Sequence, residues 1–149
     1  MPKYEYIKNM ETEYHQKYPN SILLVLSGNF YNVYGKDAYI LSYLFRFKFI
    51  NKLYVTEEAK EVYVPKTGFP RNFLDKVLMD LEDKKINYVI KVKDKSDIVK
   101  DFKKLNTYQR RYTASEKYCE DKIRLNKIIK QCDELCGTKD FSDVLGYIE

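Results

Sequence analysis

Residues 21–27 read Ser-Ile-Leu-Leu-Val-Leu-Ser and close on Gly28, a continuous apolar run with no polar alternation inside it. A strand with one face in water alternates apolar and polar residues, so an uninterrupted run of this length points to a strand covered on both faces. Such a strand needs helices on both sides of its sheet. At 149 residues the chain has the length of one domain, so it builds that arrangement once. The run is expected to be the central strand.

The flanking sequence supplies the covering elements. Tyr4, Ile7, Met10, Tyr14 and Tyr18 recur at spacings of three and four, which predicts an amphipathic helix over 3–18 ended by Pro19. Residues 29–35 predict a turn or short second strand, and 36–45 a helix. Phe47 to Val55 and Glu61 to Pro65 are rich in β-forming residues and predict one or two strands. Lys66-Thr67-Gly68 reads as a turn, and Pro70 suits the first turn of a helix because its missing N–H needs no partner there. That helix runs to Asp83 on Phe73, Leu74, Val77, Leu78 and Leu81, and residues 87–92 predict a strand returning to the sheet.

Beyond Lys93 the chain becomes polar and basic. Thr113-Ala-Ser-Glu116 has the form of a capping box, predicting a long helix from that point with Tyr118, Leu125, Ile128, Cys132 and Leu135 near a heptad stripe. Gly137 would stop it, and a short final element would follow over 140–148. The expected fold class is therefore α/β: a mixed β-sheet flanked by helices in residues 1–93, then a basic linker and a C-terminal helical extension over 94–149. A long amphipathic helix must hide its apolar face, so residues 113–136 are a candidate surface for a homodimer or a helical protein partner.

Several function classes find no support. Hydrophobic residues at 44% and charged residues at 33% describe a folded chain rather than a disordered one. The longest apolar runs, 22–26 and 39–45, fall well short of the roughly 20 residues that span a bilayer, so no membrane association is expected. The charged N-terminus has no apolar signal region, which predicts a cytoplasmic protein. Cys119, Cys132 and Cys136 form no disulfide framework and lack a fourth metal ligand, because the only histidine, His15, lies far away in the N-terminal segment. They are expected to pack as small apolar side chains, with no metal and no other cofactor. No glycine-rich phosphate loop is present, His15 is expected to face solvent, and Glu57-Glu58 and Glu82-Asp83 sit beside lysines as solubilising pairs. A conventional enzyme is not expected.

The charge pattern leaves an anionic partner open. The net charge is +5, and residues 84–111 hold ten basic side chains (84, 85, 91, 93, 95, 100, 103, 104, 110, 111) against three acidic ones (94, 97, 101). This strip reads either as a phosphate-facing surface or as lysines that keep a linker and a strand edge solvated. Fifteen tyrosines and eight phenylalanines permit base stacking, although most lie at core-compatible positions.

Two separated motifs sharpen the choice. Residues 18–38, Tyr-Pro-Asn-Ser-Ile-Leu-Leu-Val-Leu-Ser-Gly-Asn-Phe-Tyr-Asn-Val-Tyr-Gly-Lys-Asp-Ala, give an apolar strand, a Gly-Asn-Phe-Tyr-Asn turn and an Asp-Ala helix start. Pro65 to Leu74 contains a glycine-apolar-proline turn before a helix, and 84–90 a following strand. In order and spacing residues 5–92 resemble the mismatch-recognition domain of the MutS family, whereas the residues after Lys93 show no such counterpart. The resemblance implies a DNA-binding module without catalysis of its own, with mismatched or distorted duplex as partner. It puts Phe30 where the family stacks an aromatic ring on a mispaired base through the minor groove, and Asn32 where the family has a base-bonding glutamate. Lys36, Lys66, Arg71, Lys91 and Lys93 then become candidate phosphate contacts. Asn32 departs from the pattern by keeping hydrogen-bonding capacity without the carboxylate. The other reading of Phe30 is a plug in the core beside the central strand. Nothing in the sequence resembles the family's clamp, lever or ATPase domains.

Overall fold

The computed structural model describes residues 3–103 and 107–136. Helix α1 (Tyr4–Lys17) leads to strand β1 (Ile22–Ser27), which turns back as β2 (Phe30–Tyr34). Helix α2 (Gly35–Phe45) connects to the hairpin of β3 (Ile50–Val55) and β4 (Glu61–Pro70). A short 3-10 turn (Arg71–Phe73) then opens helix α3 (Leu74–Asp83), and β5 (Tyr88–Lys91), β6 (Ile98–Lys100) and the long helix α4 (Thr107–Leu135) complete the order. Six strands form one sheet, β3-β4-β2-β1-β5-β6, antiparallel at every junction except the parallel pair β1 and β5.

The apolar run behaves as its lack of alternation predicts. Ile22 and Leu24 enter one core with Tyr31, Val33, Ala38, Ile40, Leu41, Phe69, Val77 and Leu81, which are contributed by β2, β4, α2 and α3. Leu23 and Val25 enter the opposite core with Ile7, Met10 and Tyr14 of α1. One helix thus covers one face and the remaining helices cover the other, which is why β1 can be apolar on both sides. Tyr31 stacks on Phe69 with ring centroids 5.3 Å apart, and Phe69 stacks in turn on Phe47 at 5.6 Å. Such pairs are worth about 0.5–1.5 kcal/mol each beyond the area they bury.

Three local expectations give way to longer-range packing. Lys66-Thr67-Gly68 is no turn: β4 runs unbroken to Pro70, because it pairs with β3 through Lys66 and with β2 from Lys66 to Pro70. Gly68 fits because a Cβ there would lie 2.7 Å from the Tyr31 carbonyl oxygen, so only a bare backbone lets the strands approach this closely. Pro70 ends β4 in extended conformation instead of opening α3. The capping box at Thr113 is likewise inside a helix, since α4 begins at Thr107. Tyr108 and Tyr112 carry the buried stripe of Ser115 and Cys119 one and two turns further back, and tertiary packing outweighs the capping signal.

Residues beyond Lys93 share the core. β6 pairs with β5, and Tyr108, Tyr112, Tyr118 and Ile123 of α4 pack against the cluster that holds β1. Arg46, at the left-handed C-cap of α2, lays its guanidinium 4.1 Å from the centroid of Tyr118, and Asn126 Nδ2 donates to the Phe49 carbonyl at 2.9 Å. Cys119 is buried with its thiol 3.4 Å from the Tyr39 carbonyl, and burial pushes that thiol up to about 12. It packs as a small apolar group. The expected stop at Gly137 and the element over 140–148 lie outside the described residues.

A buried polar hub ties four elements together. Asp37, 1% exposed in the first turn of α2, accepts the Leu23 N–H at 3.0 Å and the Tyr108 hydroxyl at 2.6 Å, and its carboxylate lies 2.9 Å from His15 Nε2. His15 is therefore not a solvent-facing histidine; it is half-buried, bridging α1 to α2. The Asp37 hydrogen bond raises the His15 pKa against the opposing effect of burial, helped by the charges of Asp37 and Glu11 and resisted by Lys36. Glu11 lies beside the hub with Oε1 buried and without a hydrogen-bond partner among the described residues. Burial first, and the charge of Asp37 second, push its pKa up from 4.5 to about 7, with His15 pulling the other way.

These environments predict a pH dependence of known sign. Both groups hold their protons more tightly in the folded chain. The Glu11 contribution is therefore complete below its ordinary 4.5 and lost as pH rises to about 7, while that of His15 is present below 6.5 and lost above its raised value. Urea unfolding should show a more stable protein at pH 5 than at pH 8. Glu11→Gln should flatten that slope and stabilise the protein at pH 8 by about 3 kcal/mol, given ~1.4 kcal/mol per pKa unit. Gly68→Ala should destabilise by about 2 kcal/mol in the same assay, because the new methyl meets backbone that cannot yield cheaply.

Candidate nucleic-acid interface

The β1–β2 hairpin presents the site. Ser27 pairs with Phe30 across a two-residue turn, Gly28-Asn29, and Gly28 adopts the left-handed φ of 62° that such a turn asks of its first residue. The turn is fastened from outside, since the Asn29 carbonyl accepts the Arg71 N–H at 2.8 Å and Phe30 also pairs with Pro70. Strand alternation then decides where each side chain of β2 goes. Tyr31 and Val33 are core, so Phe30 and Asn32 must take the other face, at the end of the sheet where Phe30 remains 52% exposed. The core-plug reading of Phe30 does not hold.

The sheet register sets the neighbours. Asn32 pairs with Val25, and Val25 with Lys91, so Asn32, Lys91 and Phe30 share a face. Asn32 is half-buried and, with Tyr6, Ser27, Lys91 and Lys93, lines a cavity of about 530 Å³ between α1 and the ends of β1 and β5. Lys91 Nζ donates to the Tyr14 hydroxyl at 3.3 Å, and Tyr14 donates to Asp97 at 2.9 Å. Burial lowers the Lys91 pKa, but Tyr14, Tyr6 and Asp97 more than offset it, so the ammonium ion is secured. Lys93 is exposed at the rim.

The other candidates divide. Arg71 is exposed beside the hairpin, its main chain held by Asn29, and its charge restrains the rise that burial imposes on the Tyr31 hydroxyl. Lys66 pairs with Tyr34 at the far end of β2 from Phe30, with its ammonium 5.9 Å from the Tyr34 ring centroid. Burial, reinforced by Lys52, lowers the Lys66 pKa. Lys36, one residue into α2, sits over the Tyr112 ring at 5.0 Å and lines a second cavity with Glu11, His15 and Tyr108. Five of the seven candidates thus gather around the hairpin and the first cavity: Phe30, Asn32, Arg71, Lys91 and Lys93. Lys36 and Lys66 stand apart from them.

Sequence reasoning overlooked Tyr6 in this neighbourhood. Its signal was present, because Tyr6 falls outside the stripe of Tyr4, Ile7, Met10 and Tyr14 and so had to point away from the α1 core. Among the described residues no group of three His, Cys, Asp or Glu side chains could hold a metal ion, and no helix is long and apolar enough to cross a membrane.

Comparison with known proteins bears on the fold that carries these residues. Residues 8–116 match the model of the family described as MutS domain I, which carries the likeness past Lys93, through β6 and into α4. No curated protein matches the chain. Because the match takes in well over half of the residues and the whole six-stranded sheet, this chain belongs to the MutS domain I family.

Proposed function

We propose that the protein is a DNA-binding module without catalysis of its own, which inserts Phe30 between base steps of a mismatched or distorted duplex. The observation that carries this reading is the placement of Phe30, a large ring left 52% exposed at the tip of a hairpin that is braced by β4 and by Arg71. A rigid mount matters, because wedging an aromatic ring into DNA costs a few kcal/mol of unstacking, least where pairing is already weak. Asn32 on the same face offers a donor and an acceptor to a base edge, while Lys91, Lys93 and Arg71 supply phosphate contacts. Lys36 and Lys66 lie away from the wedge and take no part in it.

Titration of matched and mismatched duplexes by fluorescence anisotropy tests it. Affinity should fall steeply with salt, and Phe30→Ala should weaken mismatched duplex roughly tenfold and matched duplex far less. Equal losses on both would remove the wedge.

A specific observation favours a second role for α4. Past the end of the family match Leu125, Ile128 and Ile129 lie exposed on the helix. This stripe suits a second copy of the chain or a helical partner protein, within the surface expected over 113–136. If a homodimer forms there, Leu125→Glu with Ile129→Glu should convert it to monomer in sedimentation analysis while leaving the thermal transition in place.

A further inference from the structure

Helix α4 continues to Leu135, beyond residue 116 where the family match ends. Tyr108, Tyr112, Cys119 and Ile123 hold it to the domain by one face. At about 100° per residue, Leu125, Ile129, Cys132 and Cys136 fall within an arc of about 60° on a different face, roughly 110° further round the helix. Leu125 and Ile129 are exposed, Cys132 is half-buried and Cys136 is exposed. Cys136 follows the last helical residue, but its N–H still bonds to the Asp133 carbonyl at 3.2 Å, so the turn carries through it.

Steps of four, three and four are those of successive core positions in a coiled-coil seam. The preceding positions of the same spacing, Tyr118 and Lys122, are already engaged, Tyr118 by the Arg46 guanidinium and Lys122 over the Tyr118 ring, so the free seam opens at Leu125. Its far end is two thiols one turn apart. In a parallel pair of such helices each core position meets its own counterpart, which brings four thiols together in two adjacent layers.

Tetrahedral zinc takes four thiolate sulfurs at about 2.3 Å, which puts the sulfurs roughly 3.8 Å from one another. Side chains at i and i+4 on a helix start about 5–6 Å apart at Cβ, so two cysteines at this spacing can close on one ion. One chain supplies only half of the ligands, because among the described residues no third His, Cys, Asp or Glu joins Cys132 and Cys136. Two-fold symmetry supplies the other half, which favours a second copy over an unrelated helix. The carboxyl end of a 29-residue helix, with its unpaired carbonyls, also favours a cation.

Resting on the homodimer reading of α4, we propose that Cys132 and Cys136 of two chains together bind one zinc ion through four thiolates. Each thiol releases its proton to solvent as it binds. Cys119, buried in the core, takes no part.

The test uses the full chain, stripped of metal and kept in a phosphine reductant, titrated with zinc or cobalt(II) and followed by sedimentation and visible absorption. The expected result is one ion per two chains, the intense absorption of tetrahedral cobalt thiolate, and a dimer that zinc tightens about tenfold or more and a chelator loosens again. Cys132→Ser and Cys136→Ser should each weaken zinc binding about tenfold or more while leaving the thermal transition of the metal-free chain in place. One ion per single chain, or no thiolate absorption, overturns the inference. So does a dimer that forms only without reductant and resists the chelator, which is a disulfide. A dimer indifferent to zinc, chelator and both serine variants overturns the metal site and leaves the homodimer standing; a monomer with and without zinc overturns both.

Discussion

Burial of β1 on both faces is the constraint on which the rest of the molecule depends. Ile22 and Leu24 must be covered by α2 and α3 together with the aromatic stack of Tyr31, Phe69 and Phe47, while Leu23 and Val25 must be covered by α1. Once β1 is committed in this way, its antiparallel partner has no freedom in its own alternation. Tyr31 and Val33 go to the larger core, and Phe30 and Asn32 go to the opposite face. A one-residue slip would bury Phe30 and expose Tyr31, and Gly68 guards against it by admitting the Tyr31 carbonyl closer than any side chain would allow. The exposed ring is thus a consequence of core packing, held by the same interactions that hold the sheet.

The second organising feature is polar. Asp37 gathers a backbone N–H from β1, an imidazole from α1 and a phenol from α4. A carboxylate this deeply buried is tolerated only when its oxygens are occupied, so the three partners are needed for the acid to stay inside. The hub makes α4 part of the domain from its second residue. It also lies at the opposite end of β2 from Phe30, so the titration of Glu11 and His15 bears on stability and leaves the hairpin untouched.

Asp37 and Glu11 were invisible as a pair before the fold was known, and so was the role of His15. In the chain, Glu11 and His15 share α1 but the β1–β2 hairpin separates them from residue 37, and nothing local to the histidine points to the buried carboxylate it meets. Tyr6 was half-legible: helical periodicity excluded it from the core stripe without saying what it would meet. The same limit explains the misread turn at Lys66-Thr67-Gly68, where a local preference for turning was overruled by pairing to two neighbouring strands at once.

What the sequence by itself determined is the material of the fold: a strand apolar on both sides, helices marked by three- and four-residue spacing, and a Phe-Tyr-Asn motif at the hairpin. These are local signals, and short-range sterics and hydrophobic periodicity suffice to read them. Only the tertiary structure decided which face Phe30 takes, that Asn32, Lys91 and Lys93 border one cavity with Tyr6, that Lys36 and Lys66 do not join them, and where α4 begins. Those outcomes depend on strand register and on packing between residues far apart in the chain, and no local preference encodes either.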